Sequence, residues 1–239
     1  MIATCLADFG TVVAMPASPN ATPDCAAPNP ALIRKACVYV YSLRMASVFI
    51  TGASGFMGRR LSAELLARGH CVRALVRRGS EKRLAPGCDT FVHLVGVAHP
   101  SPAKKEQFRS IDLASALQAV SAAAAAGMRN LVYVSVAHPA PVMHDYIAAR
   151  SEAEDAIRRS GLNSTILRPW YVLGPGRRWP LALKPVYWMM EALPGTRDSA
   201  RRLGLVTVEQ MIGSLVRAVV EPPSGVRVWE VPEIRLTRS

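Results

Sequence analysis

Three glycines, Gly52, Gly55 and Gly58, stand three residues apart behind the apolar run Val48-Phe49-Ile50. Thr51, Ala53, Ser54, Phe56 and Met57 complete this turn. An apolar run entering such a turn, with an amphipathic stretch leaving it, reads as strand, turn and helix. One glycine lets the chain turn sharply, another lets backbone approach a diphosphate, and a third lets the helix lie close to the strand. The first helical N–H groups then face the phosphates, where the helix dipole favours negative charge. Arg77 and Arg78 follow the next strand, about 20 positions after the glycines, where an acidic residue would bind the ribose hydroxyls of NAD. Guanidinium forks suit phosphate, so the pair favours NADP(H) over NAD(H). Tyr146 and Arg150 are four apart on a predicted helix and project from one face. Ser135 ends a predicted strand, at the sheet edge where open α/β folds hold ligands. The plainer alternatives are a packed helix-start tyrosine and two solvated arginines.

Positioning these residues takes an alternating chain. Strands are predicted over 45–51, 71–76, 91–97, 131–136 and 165–167, with helices over 56–68, 108–126 and 144–160. Gly69, Gly127 and Gly161 stop the helices. Leu61 and Leu65 mark one buried face, and Leu113, Leu117 and Val120 another. The third of these strands carries Val95 and Gly96 towards the dinucleotide. The tail 203–239 reads as a strand, a helix over 208–220 and a strand over 226–231. The pattern implies an α/β fold of Rossmann type, doubly wound, with a mainly parallel sheet. One unit is missing: around Cys88 there is no room for a further strand and helix, and about 12 residues is short for a crossover. The second strand should then be an exposed edge, and binding at the adenine end should weaken.

In this order, the glycine turn, Ser135, Tyr146-x-x-x-Arg150 and the Arg168-Pro169 to Gly174-Pro175-Gly176 turn resemble the short-chain dehydrogenase/reductase superfamily. The resemblance covers about residues 45–235 and is nearest the extended and atypical members: epimerase/dehydratase-like, NmrA-like, and the related accessory subunit of respiratory complex I. It implies a tyrosine general acid/base, a serine hydrogen-bonding the substrate oxygen, and a cation that favours the phenolate and holds the nicotinamide ribose. These roles fall on Tyr146, Ser135 and Arg150, the last in place of the usual lysine. Arginine keeps the charge but passes no proton at ordinary pH. Arg168-Pro169 resembles the turn beside the nicotinamide, and Trp170, Tyr171 and Trp179 are candidate pocket walls. The tail resembles an abbreviated substrate-side portion, from about residue 177. Two functions follow: an NAD(P)-dependent oxidoreductase acting on a carbonyl or quinone-like apolar substrate, or a non-catalytic NAD(P)H-binding redox sensor or respiratory-complex accessory protein.

Composition sets the bounds. The chain has 239 residues, half of them hydrophobic, enough for one domain with an appendage. A net charge of +12 attracts anions, but the arginines are scattered, so no nucleic-acid partner is expected. Five cysteines with no CxxC pair argue against a disulfide framework and for a reducing cytoplasm. His99, His138 and His144 lack ligand partners at metal spacing, so no metal is expected; His138 or His144 would sit near Tyr146. Residues 1–44, crowded with Pro16, Pro19, Pro23, Pro28 and Pro30, read as a disordered extension, with Met45 as the natural start. The basic, tryptophan-bearing segment 177–188 offers attachment to the inner face of a membrane as a third reading.

Overall fold

The computed structural model describes residues 10–15, 45–79, 87–176, 189 and 197–237, with the backbone alone at 10–15, 76–79, 197 and 199. Trp179, the segment 177–188 and the remainder of the proline-rich leader lie outside these residues. After β1 (Gly10–Met15), the chain forms β2 (Ser47–Thr51), α1 (Phe56–Ala67), β3 (Cys71–Gly79) and β4 (Thr90–His93). A short turn of helix, α2 (Lys105–Gln107), passes through a π-helical stretch at Phe108–Leu113 into α3 (Ala114–Ala125). Then come β5 (Asn130–Val134), α4 (His144–Arg159), β6 (Ser164–Leu167), β7 (Tyr171–Leu173), α5 (Arg197–Arg202), β8 (Leu205–Thr207), α6 (Val208–Val220), β9 (Val226–Trp229) and α7 (Val231–Leu236).

The main sheet has the order β1-β3-β2-β4-β5-β6-β9, and β7 pairs with β8 in a separate ribbon. All pairs in the main sheet are parallel except β1 with β3. Side chains alternate between two helical layers, as strand geometry requires. Val48, Ile50, Val92, Val132 and Leu167 face α1 and α6, packing on Leu61, Leu65, Met211 and Leu215. Phe49, Phe91, Leu131, Tyr133 and Ile166 face α3 and α4, packing on Ala116, Ala123, Ala153 and Ile157. The small alanines let the helices lie close on the bulky strands, so the strands read as continuous apolar runs.

β3 and β4 flank β2 on opposite sides, Thr51 standing in register with both Leu75 and His93. Among the described residues no strand or helix stands between them in the chain, as the spacing around Cys88 implies. The exposed edge expected at β3 is a correction: β1 pairs along it, with Ala14 opposite Arg73 and Met15 opposite Val72. The segment Gly10-Thr-Val-Val-Ala-Met15 precedes the first proline and is rich in β-branched residues, which fit a pleated strand. β3 also continues through Arg77 and Arg78 to Gly79, rather than ending at Val76.

The tail differs from expectation at its end. The last strand stops at Trp229, and Glu230 opens α7 with a reciprocal cap to Glu233. β9 joins the main sheet beside β6, so this tail completes the same core. α6 begins at Val208 under a capping box, the Thr207 N–H donating to Gln210 Oε1 at 2.9 Å and Thr207 Oγ1 accepting from the Gln210 N–H at 3.2 Å. Among the described residues no helix is long and apolar enough to cross a membrane.

Candidate active site

The C-terminal edge of the sheet opens into a cleft of about 490 Å³. One wall is the glycine turn with Phe56 and Met57; the loop after β4 forms the floor at 94–97 and the exposed rim at 98–100. Ser135 and Val136 after β5, Tyr146 and Arg150 on α4, and Pro169 to Val172 after β6 close the other side.

Gly52 and Gly58 are sterically required. Gly52 has φ +77°, and a Cβ there would lie 2.8 Å from the Leu94 carbonyl carbon. A Cβ on Gly58 would lie 2.6 Å from Ala53 Cα. Gly55 is the N-cap of α1, donating its N–H to the Gly52 carbonyl at 3.0 Å. No side chain caps this helix and no acidic residue stands in its first turn. A helix start left open beside a cleft, with glycine where side chains would intrude, fits a dinucleotide diphosphate. Thr51 supports the turn from beneath, bonding His93 Nδ1 at 2.9 Å, while Ala53 is buried in the core and Ser54 is exposed.

Tyr146 and Arg150 do share a face of α4, with the guanidinium carbon 5.2 Å from the Tyr146 ring centre. Phe108 packs on that ring at 4.9 Å. Arg150 is more committed than its sequence position suggests. It donates to the Val134 carbonyl at 2.9 Å and the Tyr133 hydroxyl at 3.2 Å, and it forms an ion pair with Asp112. Burial disfavours the Arg150 charge, but Tyr146, Tyr133 and Asp112 outweigh it and raise its pKa, so it remains a cation. Burial also pushes the Asp112 carboxyl up, against the pull of Arg150. Asp112 accepts from the Val97 N–H at 3.2 Å as well, tying the floor loop to α4. Gly96 makes the room: a Cβ there would run into the Arg150 guanidinium and lie 3.0 Å from Asp112 Oδ1. Behind this pair, His93 stacks on Tyr133 at 5.9 Å and is pushed down to about 3 by burial and by the Arg150 charge.

Ser135 lines the cleft, but its hydroxyl donates to Glu154 Oε1 at 2.6 Å. Glu154 is fully buried and is the hub of a second charged cluster. Arg168 grips it through Nε at 3.0 Å and Nη2 at 2.5 Å, and Arg158 donates at 3.1 Å. Arg168 also reaches Glu230 at 2.8 Å, so its side chain binds the protein interior while Pro169 lines the cleft. Burial alone would raise the Glu154 pKa, but Arg168 and Ser135 overcome it and hold it below the ordinary value. His138 Nε2 stands 3.4 Å from Glu154, and His144 is exposed at the start of α4.

The cleft thus brings together Gly52, Gly55, Phe56, Met57, Gly58, Val95, Gly96, Ser135, Tyr146, Arg150 and Pro169, along with Trp170 and Tyr171. Arg77 and Arg78 are placed by backbone alone, at the end of β3. Asp112 and Glu154 were not singled out from sequence. Glu154 carried a signal, standing four residues beyond Arg150 on the same helical face. Asp112 carried a fainter one, as the sole acidic residue between Glu106 and Asp145.

Residues 48–155 match the model of the NAD dependent epimerase/dehydratase family. The chain is 30% identical over 210 residues to a ceramide reductase of Caulobacter vibrioides, covering 79% of this chain and 65% of that protein. It is 26% identical over 168 residues to a 4-hydroxy-2-methyl-3-oxo-4-farnesyl-3,4-dihydroquinoline-1-oxide ketoreductase of Stigmatella aurantiaca, covering 53% of this chain and 50% of that one. It therefore spans about half to two thirds of the length of these relatives. A short-chain dehydrogenase/reductase superfamily protein of Agrobacterium tumefaciens, solved with bound NAD, shares the fold with a TM-score of 0.56 at 17% identity, over 77% of each chain. The glycine turn, the parallel sheet and these matches agree: residues 48–155 are similar to the NAD dependent epimerase/dehydratase family, on a fold shared with a short-chain dehydrogenase/reductase superfamily protein.

Proposed function

We propose that this chain binds a nicotinamide dinucleotide, NADP(H) in preference to NAD(H), and reduces the carbonyl group of an apolar or quinone-like substrate. The observation that carries this is the opening of the glycine turn and Tyr146 onto one cleft. The uncapped start of α1 would hold the diphosphate, and Arg77 and Arg78 at the end of β3 support the phosphorylated cofactor. A reduced dinucleotide held there would supply the hydride for the carbonyl carbon. Tyr146 gives its phenolic proton to the carbonyl oxygen and regains one from solvent. Arg150 keeps a fixed positive charge beside the phenol, and Asp112 holds that charge in place. Trp170, Tyr171, Val172 and Val136 give the substrate an apolar wall. The reductase names of the two relatives point the same way.

Titrating NADPH and NADH by fluorescence tests the cofactor, with tighter NADPH binding expected. Assaying Tyr146→Phe over a carbonyl and quinone panel tests the chemistry. Turnover should fall by about 10²–10⁴-fold with the dinucleotide still bound; turnover that survives removes Tyr146 from its role.

A second reading has its own support. The Ser135 hydroxyl is engaged by Glu154, and the Arg150 guanidinium is engaged on both sides. A protein that holds the dinucleotide without consuming it, as a sensor or a respiratory-complex accessory subunit, would need neither group free. Binding with no consumption across the panel would select it.

A further inference from the structure

His99 stands on the rim of the cleft with a backbone that an L-residue adopts at a cost. Its φ is +51°, in the left-handed region, which only it and Met143 adopt among the described non-glycine residues. The conformation is clamped from outside: Lys104 Nζ donates to the Ala98 carbonyl at 2.6 Å and to the His99 carbonyl at 3.1 Å. Glycine at this position would relieve the strain. An imidazole is kept instead, exposed, on a stretch whose neighbours Val97, Ala98 and Pro100 are apolar. Strain of this kind persists where the surrounding structure enforces it, and it clusters at sites that grip ligands.

We propose that His99 is a substrate-reading residue: its imidazole hydrogen-bonds a second, uncharged polar group close to the reacting carbonyl of an otherwise apolar substrate. This rests on the reading of the cleft as a reductase site. The ligand class is then an apolar chain bearing two neighbouring oxygens, such as a β-oxo amide, rather than a simple ketone. The loop 94–100 delivers His99 to the rim, while Tyr146 serves the reacting oxygen inside. Either protonation state of the ring retains a donor N–H, so the contact needs no particular charge.

The test compares N-octyl acetoacetamide with 2-undecanone, which lacks the second carbonyl group. Binding to the full chain saturated with NADP⁺ is followed by quenching of tryptophan fluorescence, Trp170 being in the cleft wall. The unsubstituted protein should prefer the oxo amide by roughly tenfold, the worth of one good hydrogen bond. In His99→Gly that preference should vanish while NADP⁺ affinity holds, and the melting temperature should rise by about 2–4 °C as strain is released. His99→Asn, which tolerates the left-handed backbone and keeps a donor, should retain part of the preference. Equal binding of the two probes, no binding of either, or a preference that survives His99→Gly overturns the inference. Failure to bind NADP⁺ at all instead overturns the cofactor reading on which it rests.

Discussion

At Arg150 the chain keeps a positive charge beside Tyr146 and fixes its direction. A guanidinium held by Asp112, Tyr133 and Val134 has little freedom to swing towards a ligand. Its part is that of a stationary charge, and the residue that keeps it stationary is Asp112. Replacing Asp112 with Asn removes the counter-charge from a buried cation and leaves one acceptor oxygen where Arg150 and the Val97 N–H now share two. The expected loss is about 3–5 kcal/mol of stability, read by urea denaturation. An equal loss in Arg150→Met would show that the pair acts as one unit, whereas a neutral Asp112→Asn would mean that solvent already compensates the charge.

Among the elements, α1 and α4 carry the site. α1 depends on Gly58, because no side chain fits between it and Ala53 without moving the turn. Gly58→Ala should abolish dinucleotide binding by isothermal titration, and unchanged affinity would place the diphosphate elsewhere. α4 carries a row, Tyr146, Arg150 and Glu154, that serves two charged clusters at once. The order of strands and helices was legible in the sequence because period, glycine stops and caps are local signals. So was the crowding of the glycine turn, since Gly52, Gly55 and Gly58 lie within one turn of chain. The partners of Arg150 and Ser135 were not. Arg150 and Asp112 are 38 residues apart and meet only when the π-helical stretch before α3 packs beside α4 on one face of the sheet. The Arg168 to Glu230 pair, 62 residues apart, needs β6 and β9 to be neighbours. The strand at Gly10–Met15 was hidden by the prolines that follow it.

For the molecule as a whole, Glu154 sets an acid limit. Its pKa is below the ordinary value when folded, so its contribution is complete above the unfolded value of about 4.3 and is lost as pH falls through the lower folded one. Melting temperature should therefore drop steeply below about pH 4. Glu154→Gln should flatten that drop and cost about 3–5 kcal/mol at neutral pH, because Arg168 loses a buried counter-charge. A drop of the same steepness in the variant would assign the acid limit to other carboxylates.

Gly96 has a consequence for how such a chain can change. The space above it is taken by the Arg150 guanidinium and the Asp112 carboxylate. Any side chain at position 96 must evict the guanidinium, and any shorter cation at 150 leaves a hole that only a larger residue at 96 can fill. The three positions are therefore epistatic. In a saturation library, substitutions at 96, 112 and 150 should be deleterious singly and tolerated only in particular combinations, so the order in which mutations arrive decides which paths stay open.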